Sequence, residues 1–109
     1  HISYAWRRRW CILRAGLLCF YEDEGLREKK GEVLLDPLAR CVAFQAPRAP
    51  GDSCKHLSER PFGFAISLDR EDGGRPLVYY FDAGEPPLLK RWLLALAQAI
   101  RVAPALARD

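Results

Sequence analysis

Long apolar runs are missing from this 109-residue chain. No stretch approaches the roughly 20 residues that a membrane-spanning helix requires, which excludes a helical span. A secretory signal is not expected either, because Arg7, Arg8 and Arg9 follow too short an apolar stretch. Histidine is scarce: only His1 and His56 are present, and neither has an evident triad partner. No nucleophile–base pair, no paired catalytic carboxylates and no phosphate-cradling glycine loop can be found, so an enzyme is not expected. The four cysteines, Cys11, Cys19, Cys41 and Cys54, form no C-x-x-C pair. Cys54 lies close to His56, but no second ligand pair completes a zinc site, and neither a metal nor a cofactor is expected. A strong charge of one sign is also lacking. The net charge is +3, and after Arg14 basic and acidic residues interleave, which argues against nucleic acid as a partner. Internal repeats are absent.

What is present is material for a core. Half of the residues are hydrophobic, with three Trp, five Phe and four Tyr, so global disorder is excluded. The length suits one domain, residues 1–109. Cys11 and Cys19 fall inside apolar strand-like runs, where a free thiol behaves as a small hydrophobe. The cysteines therefore read as structural thiols of a reducing compartment.

Short strand-like segments fill the first three quarters of the chain. Trp10-Cys11-Ile12-Leu13 and Leu17-Leu18-Cys19-Phe20-Tyr21 flank the turn Arg14-Ala15-Gly16 and predict a hairpin. A polar stretch from Glu22 to Lys30 predicts a loop ending at Gly31. Glu32-Val33-Leu34-Leu35 predicts a third strand, stopped by Asp36-Pro37, and Arg40 to Phe44 a fourth. Residues 46–61 are rich in Pro, Gly, Ser and charge, which predicts a long internal surface loop. From Phe62 to Leu68 the pattern alternates with period two, placing Phe62, Phe64, Ile66 and Leu68 on one face. Asp69 to Pro76 is a turn, and Leu77 to Ala83 a last strand. Glu85-Pro86-Pro87 then opens a helix over about 86–102. Leu89, Trp92, Leu93, Leu96 and Ile100 form its apolar stripe. Antiparallel strands followed by one amphipathic helix make an α+β pattern, in which a curled sheet leaves an open end for the helix to plug.

Five of these segments carry a family resemblance. Trp6-Arg7-Arg8-Arg9-Trp10-Cys11-Ile12-Leu13 followed by Gly16-Leu17-Leu18-Cys19-Phe20-Tyr21 resembles the second and third strands of pleckstrin-homology domains. Lys30-Gly31-Glu32-Val33-Leu34-Leu35 resembles the fourth strand of that family, and Tyr79-Tyr80-Phe81-Asp82-Ala83 its seventh. Trp92-Leu93-Leu94-Ala95-Leu96-Ala97-Gln98-Ala99-Ile100 resembles its C-terminal helix with the signature tryptophan. The five occur in order, at plausible spacings, over nearly the whole chain. The resemblance implies a partly open antiparallel β-barrel or sandwich capped by one C-terminal helix. It also implies a non-catalytic binding module, located in the cytoplasm and peripherally at membranes. The family opens with a further strand, roughly G-x-L-x-K, whose lysine often contacts phosphate. Only His1 to Ala5 precede Trp6, so that strand is expected to be shortened, absent, or cut by a boundary inside the domain.

Strand parity gives the candidate site. Residues two apart face the same way, so Arg7, Arg9, Cys11 and Leu13 share a face. With Cys11 and Leu13 inward, the two arginines are expected on the same line at the open mouth. In the family the matching basic pair contacts the phosphates of an inositol headgroup, a task that suits the planar guanidinium fork. Lys30 matches the basic residue before the fourth strand's glycine, another phosphate contact. Lys29 and Arg75 are possible secondary contacts. Phe20 stands where lipid-binding members often carry a tyrosine, and Tyr21 is one residue off. Glu22, Asp23 and Glu24 either line the mouth and repel a polyanion or form an ordinary solvated loop. Arg48, Lys55, His56 and Arg60 lie in the long loop, which in some members forms a second headgroup site. The expected partner is a phosphoinositide or an anionic membrane surface. The alternative is a protein scaffold that grips a small GTPase, a peptide or a neighbouring domain.

Overall fold

A computed structural model describes residues 6–44, 60–70 and 73–104 of the chain. Its contacts divide into two units, His1–Leu34 and Leu35–Asp109.

The first unit holds an antiparallel sheet in the order β1-β2-β3. Its strands are β1 (Trp10–Arg14), β2 (Leu17–Tyr21) and β3 (Lys29–Leu34). Arg14 pairs with Leu17, leaving Ala15 and Gly16 as a two-residue turn with positive φ values of 52° and 79°. Two consecutive left-handed residues give the turn whose twist matches that of a hairpin, and glycine tolerates the second position. The register places Leu13 opposite Leu18 and Leu18 opposite Val33. Leu18 and Val33 are both 1% exposed. Cys11, Phe20 and Gly31 continue that face along the next row. The Phe20 ring lies across Gly31, where an added Cβ would stand 2.5 Å from the ring. That is the local reason for glycine at this point in β3.

The third strand starts earlier and stops earlier than expected. It begins at Lys29, so Lys29 and Lys30 belong to the strand and not to the loop, and Leu35 falls just beyond its end. The early start goes with a bulge in the β2–β3 ladder. Phe20 pairs with Gly31 while Tyr21 pairs with Lys29, so Lys30 has no opposite number. One extra residue lengthens the strand while loosening the strict alternation of sides.

The second unit holds the sheet β4-β5-β6. Its strands are β4 (Arg40–Ala43), β5 (Gly63–Leu68) and β6 (Leu77–Asp82), and the helix α1 (Pro86–Val102) follows. Leu35 and Asp36 are buried, and Asp36 accepts a hydrogen bond from the Leu38 amide at 2.9 Å, which folds the turn into β4. Phe64 and Ile66 sit on the buried face of β5, 3% and 0% exposed. Phe64 stacks on Phe81 across the ladder at 5.3 Å. Phe44 and Phe62 fall just outside the strands, yet Phe44 donates to the Gly63 carbonyl at 2.9 Å and the Ala83 amide donates to Phe62 at 3.0 Å. Proline occupies the first two helical positions, where an amide would lack an intrahelical acceptor anyway. The helix packs against β4, and Leu96, the centre of the expected stripe, is fully buried. Pro104 follows the Ala103 cap and stops it.

Two antiparallel sheets and one C-terminal helix make the α+β architecture expected. His1 to Ala5 and residues 45–59, which include most of the long loop, lie outside the described residues. Among the described residues no helix is long and apolar enough to cross a membrane.

Candidate functional site

The first unit gathers charge at the open end of its sheet. Arg7, Arg8 and Arg9 precede β1 and do not belong to its ladder. Arg7 is exposed, and Arg9, two residues before Cys11, is partly covered with 26% of its side chain accessible. The β2–β3 connection is tied at its base by the Glu22 amide donating to the Glu28 carbonyl at 2.9 Å. Within it the Asp23 carboxylate accepts from the Gly25 amide at 2.9 Å. Leu26 takes a positive φ of 56°. These bonds return the chain to β3 with Glu22 and Glu28 side by side near the two basic segments.

The result is an ion cluster built around one carboxylate oxygen. Glu22 Oε2 lies 3.7 Å from Arg9 Nη1 and 3.4 Å from Lys30 Nζ. Lys30 Nζ also donates to Glu28 Oε1 at 2.9 Å. The Lys30 hydrogen bond and charge hold the Glu28 carboxyl below the ordinary carboxylate range. In return, hydrogen bonds to Glu28 and Glu22 push the Lys30 ammonium above the ordinary lysine range. The four side chains are accessible to solvent, so water screens each pair and the cluster adds little to stability.

The bulge decides which lysine joins the cluster. In an unbroken strand Lys30 would share a face with Glu32 and Tyr21. Here Lys29 takes that side: it pairs with Tyr21 in the ladder and makes its ion pair with Glu32. Its pKa is raised, first of all by the hydrogen bond to Glu32. Lys30 is thereby released toward Glu22.

The structure thus brings together Arg9 and Lys30. It leaves Arg7 exposed without an ion pair among the described residues, sends Lys29 to the opposite face, and places Arg75 exposed on the β5–β6 connection of the second unit. Glu22 and Glu28 are the members that strand parity does not find. Glu22 was legible as an acidic neighbour, but its position between two cations depends on the loop's path. Phe20 lies on Gly31 and Tyr21 faces away from it. In the second unit Arg60 pairs with Asp82 at 3.1 Å; Arg48, Lys55 and His56 lie outside the described residues. Cys11 and Cys41 are free thiols whose pKa values burial raises, that of Cys41 to about 11. Cys54 lies outside the described residues. Among the described residues no cluster of His, Cys, Asp and Glu could hold a metal.

Comparison with known proteins agrees with this architecture. The family model for the PH domain matches residues 1–101. Sesquipedalian-1 of Mus musculus is 32% identical over 93 residues, covering 84% of this chain and 29% of that protein. Switch-associated protein 70 is 35% identical over 57 residues in Mus musculus and 33% identical in Gallus gallus, each covering 52% of this chain and 9% of the relative. The chain therefore spans less than a third of the curated relatives it matches. This chain belongs to the PH-domain family. It is a non-catalytic module of the kind that binds membrane lipids or proteins.

Proposed function

We propose that this domain targets its parent protein to membranes by binding a phosphoinositide headgroup through Arg9 and Lys30, with Arg7 as a flanking contact. The observation that carries the reading is the convergence of Arg9 and Lys30 on a single anionic oxygen. A phosphate oxygen placed near Glu22 Oε2 lies within ion-pair reach of both cations, and drawing the side chains in by under about 1 Å gives it charge-assisted hydrogen bonds from guanidinium and ammonium. Attraction of the basic segment to an anionic leaflet adds to this and falls with salt. Co-sedimentation with vesicles carrying a phosphoinositide panel, at low and physiological salt, tests the reading. Arg9→Ala is expected to weaken selective binding about ten- to a hundredfold, as loss of a hydrogen bond to a charged group implies. Unchanged selective binding in that variant rejects the site.

A second reading, a protein scaffold, is favoured by one feature of the second unit. Pro61, Phe62, Pro86, Leu89, Leu93 and Leu94 line an apolar groove beside the helix, and Leu94 is 64% exposed. Binding that vanishes equally for all anionic lipids at physiological salt moves the assignment to this reading.

A further inference from the structure

We infer that Glu22 is a built-in competitor at the anion seat: it occupies the seat in the free protein and lowers the affinity of any anion that enters. The inference rests on the reading of Arg9 and Lys30 as phosphate ligands. Its own ground is the bridging geometry. One oxygen of Glu22 reaches both cations, at 3.7 and 3.4 Å, and the loop holding it is closed by the Glu22–Glu28 backbone hydrogen bond at 2.9 Å. A carboxylate held there by the chain competes with any incoming anion for the same two cations.

Binding is therefore an exchange. The arriving group displaces Glu22, whose carboxylate returns to water beside the loop. A phosphomonoester carries close to two charges near neutral pH, so it gains more from Arg9 and Lys30 than the carboxylate loses. A phosphodiester carries one charge and only replaces like with like. The latch lowers the affinity of every seat-binding anion by one common factor. That factor raises the intrinsic affinity a headgroup needs in order to stay bound at a given lipid level. Competition for one seat differs in this from through-space repulsion by the acidic loop, which grows with ligand charge. It also differs from a plain surface charge, which acts equally from Glu24, an exposed neighbour in the same loop.

The test compares wild type, Glu22→Gln, Glu24→Gln and Arg9→Ala/Lys30→Ala, with and without Glu22→Gln. The probes are phosphatidylcholine vesicles doped with phosphatidylinositol bisphosphate, the same vesicles doped with phosphatidylserine, and soluble inositol trisphosphate by calorimetry. The soluble probe separates a headgroup seat from attraction to a leaflet. Glu22→Gln is expected to tighten bisphosphate vesicles and inositol trisphosphate by the same factor, about three- to tenfold, the range that two exposed ion pairs allow. Glu24→Gln is expected to change little, and the gain is expected to vanish when Arg9 and Lys30 are both replaced. Wild-type binding that depends on Arg9 and Lys30 but ignores Glu22→Gln overturns the latch and leaves the lipid reading standing. Equal gains from Glu22→Gln and Glu24→Gln, or a gain on vesicles alone, also overturn it. Failure of both wild type and Glu22→Gln to bind any probe overturns the latch and the lipid reading together.

Discussion

The two sheets of this domain have the same size and the same antiparallel order, yet they spend their residues differently. Both use one device: an aromatic ring laid over a glycine, Phe20 on Gly31 in the first sheet and Phe44 on Gly63 in the second. In the first sheet the fully buried side chains are Leu18 and Val33, and the ion pairs join residues on or beside one hairpin. In the second unit Phe44, Phe64, Ile66 and Leu96 are buried, and the pairs Arg40–Asp69 and Arg60–Asp82 tie residues far apart in the chain. The contrast marks where change is tolerated. A charge cluster made of exposed local pairs contributes little to stability, so its members are free to serve a ligand. A core side chain has no such freedom, because its removal leaves a cavity.

The largest test of that contrast sets Ile66→Ala against Arg9→Ala. Ile66 is fully buried, and its truncation is expected to cost about 2–5 kcal/mol. Arg9→Ala is expected to cost less than about 1 kcal/mol. Urea unfolding measures both, and similar losses would break the contrast. A smaller effect probes the shared device. Gly31→Ala puts a methyl 2.5 Å from the Phe20 ring, at an expected cost of about 1–3 kcal/mol. Pairing it with Phe20→Leu is expected to recover part of that loss, so the two changes should be less than additive. Full additivity by the same unfolding measurement would mean that ring and glycine are not coupled.

The finest comparison is between thiols of the two sheets. Burial raises both Cys11 and Cys41, the latter to about 11 from an ordinary value of 9.0. A raised thiol pKa keeps the neutral, unreactive form to higher pH. At pH 9 an ordinary thiol is half ionised, whereas Cys41 in the folded protein is ionised to about one part in a hundred. Alkylation mapped by peptide mass is therefore expected to be slower at Cys41 in the folded than in the unfolded protein, and the gap to close as pH rises toward 11. Equal rates folded and unfolded at pH 9 would show that β4 does not bury its thiol.

Much of this was written in the order of residues. Alternation from Phe62 to Leu68 named the buried face of β5, because a half-buried strand must put every second residue inside. Pro86, Pro87 and the stripe through Leu96 marked the helix, since proline suits its first turn and the apolar residues recur at its period. Two cations of the ion cluster were visible as Arg9 and Lys30, and parity put Arg9 on the side of Cys11 and Leu13.

Parity alone would have sent Lys30 to the side of Tyr21 and Glu32. The bulge opposite Phe20 and Tyr21 gives that side to Lys29 and turns Lys30 toward Glu22. No periodicity announces such a step, because it depends on how two strands settle against each other around the Phe20 ring and Gly31. Glu22 likewise reads in sequence as one acid among several. Elements, buried faces and the supply of charge could be read from residue order, because these follow from local propensity and period. Which lysine joins Arg9 and which carboxylate lies between them emerged with the folded sheet, because register and loop closure are properties of paired strands.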